Sequence, residues 1–153
     1  MKLLCYFVLF LFFIGCKEEN INPTKVNLEL GEEFELQFQN NAKIKPVATN
    51  IDVEFKLLSV SESRCPEDVT CIWLGNVQVQ GDVKSNSSNE SVILDFCLGD
   101  CIEDGKSKVL EQDTITFELD SKSYIAILKS VTPYPNTTKP QNTKKVLFEI
   151  SKQ

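Results

Sequence analysis

The cysteines are the residues of this 153-residue chain whose type and spacing could do chemistry, since there are six of them and no histidine. Four lie downstream of the N-terminal region, with five residues between Cys65 and Cys71 and three between Cys97 and Cys101. Four thiolates could hold zinc, but this spacing departs from the two-residue gap of most zinc sites. We therefore expect no metal and no cofactor.

The usual catalytic arrangements are missing from the sequence. The lack of histidine excludes Ser-His and Cys-His pairs, and there is no Gly-x-Ser-x-Gly turn or glycine-rich phosphate loop. Carboxylate pairs occur at Glu32-Glu33 and Glu103-Asp104. Nothing in the sequence places them in an apolar cleft, where a shifted pKa would support acid–base catalysis. We expect a protein that is not an enzyme.

The N-terminus has the pattern of a secretion signal. Met1-Lys2 is followed by an unbroken apolar run over residues 3–14 and then by Gly15-Cys16. One positive charge, a short apolar run and a small residue are typical of a signal peptide. The run has twelve residues, whereas a helix that crosses a bilayer needs about 20. A permanent transmembrane helix is therefore disfavoured.

Residues 13–16, Phe-Ile-Gly-Cys, resemble the lipobox of bacterial lipoprotein precursors, although Phe13 stands where leucine is usual. The resemblance implies that residues 1–15 are removed and that Cys16 carries a lipid, which would anchor the protein in a membrane. Residues 17–20, Lys-Glu-Glu-Asn, resemble the tag that follows the lipidated cysteine of surface-exposed Bacteroidota lipoproteins. The tag implies an outer-membrane location. A plain solvated linker is the alternative, and the side of the membrane that the domain faces is left open.

Cleavage after residue 15 would leave one domain-sized chain of 138 residues. It would carry 15 basic and 22 acidic residues, and this negative charge argues against nucleic-acid binding. We predict a tether over residues 16–25 and a single domain over residues 26–153. In the oxidising envelope the four remaining cysteines should form disulfides. Of the three possible pairings we favour Cys65–Cys71 and Cys97–Cys101, because each pair brackets a turn-like segment.

The domain is predicted to be all-β, because apolar and polar residues alternate along most of it. Eight or nine such stretches, separated by turns, indicate an antiparallel immunoglobulin-like β-sandwich. The alternation changes phase at Leu57-Leu58, which predicts a β-bulge. Residues 124–128 are continuously apolar, which predicts a central strand that is covered on both faces.

Two segments, residues 95–112 and 132–145, are predicted to be long and irregular. The second is rich in proline and cannot be a central strand. Because loops on a rigid scaffold often carry binding residues, we predict a candidate binding loop there. Its residues are Pro133, Tyr134, Pro135, Asn136 and Lys139. Solvated connections without a ligand are the alternative.

Residues 63–77 form the most patterned segment of the chain. They resemble a motif of small uncharacterised Bacteroidota lipoproteins, R-C-P-x2-V-x-C-x-W-x-G-x followed by Ala or Val. Residues 124–128 and 131–135 look like the second block that this group shares. The resemblance implies a fold and a cellular address but no reaction.

The motif also has a structural interpretation, residue by residue. Pro66 should set a tight turn, and Trp73 should start a strand and pack over the disulfide. Gly75 should form a β-bulge, and Arg64 should bond a carboxylate of residues 67–68. We therefore favour a structural corner over a functional site.

The leading hypothesis is a non-enzymatic envelope module that binds a protein or a glycan through its loops. One alternative is a structural or stress-related envelope lipoprotein without a dedicated ligand. Another is a sandwich-type protease inhibitor that presents residues 132–145. Residues 113–115, Asp-Thr-Ile, match the O-glycosylation pattern of Bacteroidota, and whether they are modified is left open.

Overall fold

The computed structural model describes residues 25–39, 45–139 and 141–153. Within these residues the chain forms ten strands and no helix: β1 (Lys25–Asn27), β2 (Glu33–Gln39), β3 (Val47–Thr49), β4 (Val53–Glu62), β5 (Asn76–Ser85), β6 (Ser91–Glu103), β7 (Lys106–Leu110), β8 (Asp113–Leu119), β9 (Lys122–Thr132) and β10 (Thr143–Lys152). The predicted signal peptide, Cys16 and the tether up to residue 24 lie outside the described residues.

The strands form two sheets that share one core, which confirms the prediction of an all-β sandwich. The first sheet has the order β1-β3-β4-β5-β6-β7, and the second has the order β2-β10-β9-β8. Among the described strands only β1 and β3 pair in parallel. The immunoglobulin-like arrangement of the strands stays a prediction. No described segment is a helix with the length and apolar character to cross a membrane.

The alternating pattern decides which face of each strand is buried. In β2 the side chains of Phe34, Leu36 and Phe38 are buried, while their neighbours along the strand are exposed. Successive side chains of a strand point to opposite faces, so one face enters the core. The register between β4 and β5 shifts between Leu57 and Ser59, which confirms the predicted bulge.

Phe148 of β10 lies at the centre of the core. Its ring centroid is 4.8 Å from that of Phe55, 5.5 Å from that of Phe96 and 5.9 Å from that of Phe34. Phe55 and Phe96 belong to the first sheet, whereas Phe34 and Phe148 belong to the second. These four rings therefore join the two sheets through edge-to-face, tilted and stacked contacts.

Strand β9 lies inside its sheet as predicted, between β10 and β8, but only one of its faces is buried. Tyr124, Ala126 and Leu128 are buried, while Ile125 and Ile127 are half-buried. The prediction that both faces are covered was wrong. The run of apolar residues does not distinguish a strand that is covered twice from one whose outer face keeps branched aliphatic side chains.

Residues 95–112 were predicted to be irregular, and this was wrong, because they continue β6 and form a hairpin with β7. The hairpin turns at Asp104 and Gly105, whose φ angles are 51° and 73°. Positive φ at both central residues is the type I′ geometry, for which Asp-Gly is a preferred sequence.

Both predicted disulfides are present, Cys65–Cys71 and Cys97–Cys101. The second closes within strand β6, where the Cα atoms of Cys97 and Cys101 are 6.0 Å apart. Four steps along a straight strand would separate them by about 13 Å. The chain of β6 therefore bends sharply at Gly99-Asp100, which lie between the two cysteines.

At one end of the sandwich Asp120 ties two turns together. Its carboxylate accepts hydrogen bonds from the hydroxyls of Ser85, Ser87 and Ser88. These bonds, of which the bond from Ser85 has the largest effect, lower the pKa of Asp120 to about 2. Asp120 lies between β8 and β9, and the serines lie at the turn between β5 and β6, so the carboxylate links the two sheets.

Candidate binding site

The two segments singled out in the sequence meet at the opposite end of the sandwich. They are the β4–β5 connection, residues 63–75, and the β9–β10 connection, residues 133–142, which we call the paired loops. The amide of Glu67 donates to the carbonyl of Pro135 at 3.0 Å. The side chain of Asn136 donates to Glu67 at 3.0 Å, and the amide of Thr137 donates to Asp68 at 3.0 Å. The two loops therefore form one continuous surface.

Asp68 is the main acceptor that joins the paired loops. Its carboxylate accepts bonds from both the hydroxyl and the amide of Thr137. These two bonds, with the charge of Lys139 as a smaller cause, hold the pKa of Asp68 below its ordinary value. The carboxylate therefore stays ionised and bonded at neutral pH.

The base of the 63–75 loop is held by backbone pairing as well as by its disulfide. The amide of Ser63 donates to the carbonyl of Asn76, and the amide of Cys65 donates to the carbonyl of Leu74, both at 2.8 Å. Pro66 forms part of the turn, since its carbonyl accepts a bond from the amide of Val69 at 3.3 Å. This agrees with the predicted tight turn.

Gly75 is required for close backbone approach and not for the β-bulge that we predicted, since β5 starts only at Asn76. Its φ is +67°, and a Cβ built on it would lie 2.0 Å from the carbonyl oxygen of Ser63. No side chain fits in that space. The absence of a Cβ is therefore what allows the two arms of the loop to pair.

Arg64, Glu62 and Lys144 form an ionic cluster beneath the paired loops. Arg64 Nε and Nη2 bond the two oxygens of Glu62 at 2.7 and 2.5 Å. Lys144 Nζ bonds Glu62 Oε2 at 3.1 Å. The exposed fractions of the Arg64 and Lys144 side chains are only 8% and 6%. The prediction that Arg64 bonds Glu67 or Asp68 was therefore wrong, because Glu62 lies nearer along the strand.

The carboxylate of Glu62 is ionised because it forms ion pairs with two cations. Burial raises its pKa, but the hydrogen bonds and charges of Arg64 and Lys144 outweigh burial and hold the pKa below its ordinary value. The remaining bonds of the two cations go to neutral oxygens. Lys144 donates to Pro133 O and Gln141 Oε1 at 2.9 and 2.8 Å. The cluster thus holds two positive charges and one negative charge.

Arg64 also links the motif to the second loop. Its guanidinium carbon lies 4.4 Å from the ring centroid of Tyr134, a distance typical of a cation–π contact. Its Nη2 donates to the backbone carbonyl of Val131 at 3.0 Å. Arg64 therefore fixes the 63–75 loop against both the end of β9 and the start of the 133–142 loop.

Three consecutive apolar residues project from the 63–75 loop. The exposed fractions of Ile72, Trp73 and Leu74 are 94%, 69% and 59%, and we call these residues the apolar tip. The predictions that Trp73 starts a strand and packs over the disulfide were wrong, since β5 begins three residues later and the ring faces solvent. Val69 and Tyr134 add further exposed apolar surface on the paired loops.

A cleft of about 420 Å³ opens beside the paired loops, between the β6–β7 hairpin and the end of β9. Its walls are mainly apolar, and its lining residues are Arg64, Leu98, Gly99, Val109, Leu110, Glu111, Lys129, Ser130, Val131, Thr132 and Tyr134. Ligand pockets usually measure 300–1,000 Å³ and combine apolar walls with a few polar groups. The cleft meets both criteria.

The residues of the predicted binding loop fall into two groups. Tyr134, Asn136 and Lys139 have at least part of their surface in solvent, and Tyr134 lines the cleft. Pro133 is exposed as well, whereas Pro135 is buried, and the carbonyls of these two residues bond Lys144 and Glu67. The sequence therefore located the loop, but Thr132 and residues 143–145, which were predicted to be irregular, belong to β9 and β10. It also did not separate the supporting residues of the loop from the accessible ones.

The chemistry of the four cysteines is decided by their pairing. A cysteine in a disulfide has no thiolate to offer a metal, so the alternative of a four-thiolate zinc site is excluded. Over residues 25–39, 45–139 and 141–153, no three cysteine or carboxylate side chains are grouped so that they could hold a metal ion.

Comparison with protein-family models, curated proteins and solved structures gives no match for this chain. Any function must therefore be argued from the site itself. The paired loops, the apolar tip and the cleft all lie at one end of a rigid sandwich, where a partner could contact them together.

Proposed function

We propose that the protein is a lipid-anchored lipoprotein of the cell envelope that binds another protein through the paired loops. The secretion pattern of residues 1–15 and the lipobox resemblance ending at Cys16 support the address. The two disulfides add to this support, because such bonds persist in oxidising compartments. The sandwich is the scaffold, and the paired loops at one of its ends are the binding surface.

The apolar tip is the observation that carries the binding proposal. Full burial of an Ile or Leu side chain contributes about 1.5–3 kcal/mol, yet the tip holds Ile72, Trp73 and Leu74 in solvent. The base beneath it is fixed by a disulfide and by the backbone bonds of Ser63 and Cys65. A partner would therefore bury the tip at a low cost in loop ordering.

A protein is a better partner for this surface than a glycan. Tryptophan and tyrosine are enriched among the residues that dominate protein–protein binding energy, and Trp73 and Tyr134 are both exposed here. The tip offers three apolar side chains in succession and no polar side chain among them. Such a surface matches an apolar pocket better than it matches sugar hydroxyls.

The binding proposal is tested by capture from envelope extracts with matched variants. Ile72→Ser/Leu74→Ser should lose a partner that the native protein retains, because the apolar contact is removed. Ile51→Ser is the control, since Ile51 is 90% exposed but lies between β3 and β4, outside the paired loops. Equal loss in both variants, or no loss in either, would refute the role of the tip. A protease lost only when residues 134–139 are trimmed would favour the inhibitor alternative.

The anchor is tested separately by metabolic labelling. Labelled palmitate should enter the native chain and should be absent from Cys16→Ser, which should also leave the membrane fraction. Globomycin should cause the precursor to accumulate. A native chain without label would refute the lipoprotein assignment and leave the binding proposal to stand on its own experiment.

A further inference from the structure

The edge of strand β9 is open where it borders the cleft. Strand β8 pairs with β9 from Lys122 up to Leu128, which faces Asp113 at the first position of β8. Beyond that point residues 129–132 continue β9. Residues 130–132 pair with β10, whereas Lys129 lies at the register shift and has no partner in β10. The carbonyl of Val131 also accepts a bond from Arg64. In the described part of the chain, no strand covers the other side of these four residues. All four line the cleft.

An open strand edge offers backbone donors and acceptors to an added strand. An extended peptide can pair with such an edge through its main chain and place alternate side chains in pockets beside it. Here the neighbouring walls supply apolar side chains, namely Leu98, Val109, Leu110 and Tyr134. This combination favours an extended peptide over a compact ligand.

Arg64 supplies hydrogen-bond donors at the wall of the cleft, and these donors give the cleft a preference among ligands. Its Nε and Nη2 donors are used by Glu62 and by the carbonyl of Val131. Among the described residues Nη1 has no hydrogen-bond partner, so its two N–H groups are the guanidinium donors that remain for a ligand. Arg64 lines the cleft, and 8% of its side chain is exposed.

The charge of the ionic cluster favours an anionic ligand. Glu62 neutralises only one of its two cations, Arg64 and Lys144, so one positive charge remains in a largely buried setting. Buried charge without a counter-ion is unfavourable. A carboxylate that reached Arg64 would complete the neutralisation and would form charge-assisted bonds.

Two other charged residues, Lys129 and Glu111, line the cleft, and neither of them attracts an acidic ligand. Lys129 is engaged by Glu33 and Glu149, with nitrogen–oxygen distances of 2.7 and 2.6 Å. This group holds one positive charge and two negative charges, so Lys129 offers no free positive charge to a ligand. Glu111 is exposed at the rim and should repel an acidic ligand, which makes it a useful position for a test.

We infer that the cleft binds an extended, acidic peptide segment that pairs with residues 129–132 of β9 and places a carboxylate on Arg64. This inference rests on the proposed function and names the class of partner, a protein with an extended segment that bears Asp or Glu between apolar residues. The apolar tip would then contact the body of that partner outside the cleft.

The inference is tested with a displayed library of random linear nine-residue peptides, selected on purified residues 17–153, which is the mature chain without Cys16. Among the described residues the buried core lies between Leu28 and Ile150, and residues 17–153 keep all of it. The selected consensus should alternate apolar residues with Asp or Glu. A dye-labelled consensus peptide is then titrated by fluorescence anisotropy, and its form with N-methylated backbone amides should bind about tenfold more weakly.

Two variants separate the role of Arg64 from that of the fold. Arg64→Lys keeps a positive charge beside Glu62 but removes the free guanidinium donors, and it should weaken the consensus peptide about tenfold. Glu111→Lys changes an exposed residue and should tighten binding severalfold, so the test survives even if the first variant unfolds. Thermal unfolding followed by circular dichroism checks the fold of both variants.

Several results would overturn the inference. These are a library that yields no consensus, a consensus without acidic residues, or an affinity that neither variant changes. Displacement of the labelled peptide by dodecanoate, together with no effect of N-methylation, would indicate a small amphipathic carboxylate instead. If Ile72→Ser/Leu74→Ser loses an envelope partner while Arg64→Lys keeps it, the proposed function stands and the peptide inference fails.

Discussion

The stability of the paired loops should depend on Glu62, the single carboxylate shared by two buried cations. In Glu62→Gln the amide oxygen still accepts one hydrogen bond, but the negative charge is gone. Removing one partner of a buried ion pair costs about 3–5 kcal/mol, because the remaining charge is left uncompensated. We expect about 3 kcal/mol, the lower end, since 18% of the Glu62 side chain is exposed.

Lys144→Met is the matched comparison. It removes the cation that gives the cluster its excess charge and leaves the Glu62–Arg64 pair intact. The bonds from Lys144 to Glu62, Pro133 and Gln141 are lost, but a buried charge is lost with them. Each hydrogen bond has a net worth of about 1 kcal/mol, so the balance should be a loss of about 1 kcal/mol.

The two variants are compared by urea unfolding with the disulfides intact. Far-ultraviolet circular dichroism is the signal of choice, because Trp73 is already exposed and its emission reports little of the core. Glu62→Gln should have a clearly lower midpoint than Lys144→Met. Equal midpoints, or the reverse order, would refute the idea that Glu62 neutralises the buried cations.

The same carboxylate predicts a pH dependence. The folded pKa of Glu62 lies below its ordinary value of 4.5. Its stabilising effect is therefore fully present above pH 4.5 and is lost as the pH falls through the folded pKa. Urea midpoints measured downward from pH 6 should fall less steeply for Glu62→Gln than for the native protein. Parallel curves would contradict this assignment.

Three further predictions concern Gly75, Asp120 and Phe148. Gly75→Ala should destabilise by about 2–5 kcal/mol, from the left-handed φ and the clash with Ser63. At Gly105 φ is also positive, but an added Cβ would meet no atom within 4 Å. Gly105→Ala should therefore lose only the part of the stability that comes from φ. Equal urea midpoints for the two alanine variants would contradict the clash at Gly75. Because the pKa of Asp120 is about 2, its stabilising effect should disappear as the pH falls from about 4 to about 2; Asp120→Asn, compared by acid titration, should lack that step. Phe148→Ala should lose about 3–5 kcal/mol in urea unfolding, and a smaller loss would show that the four rings do not hold the sheets together.

Strands were predictable from the sequence where one face is buried and the other is exposed to solvent. In β2 the alternation of Phe34, Leu36 and Phe38 with charged or amide residues leaves only one arrangement, and the structure confirms it. The β6–β7 hairpin was missed because cysteines and Gly99 interrupt the alternation in β6. The Asp104-Gly105 pair was a usable signal, since Asp-Gly favours a two-residue hairpin turn.

The candidate site was predictable in its parts but not in its assembly. The motif at residues 63–77 and the proline-rich loop were both marked by composition. Their contact joins residues about 69 positions apart, such as Asn136 and Glu67, and no local pattern encodes such a separation. Arg64 was assigned to the carboxylates that follow it in the loop, whereas strand geometry brings it to Glu62, two residues before it.

Because of where the disulfides lie, the sandwich does not need oxidation to bring its two sheets together. One bridge closes within the β4–β5 connection and the other within β6, across sequence separations of 6 and 4 residues. Loops this short restrict the unfolded chain by only about 2 kcal/mol each in the chain-entropy model, and neither bridge joins the two sheets. The sheets are united by the shared core of aromatic and aliphatic side chains and by polar contacts such as those of Asp120 with the serine hydroxyls and of Lys144 with Glu62. The chain can therefore acquire its topology before either disulfide forms, and the bridges then fix the 63–75 loop and the bend of β6 in a sandwich that has already formed.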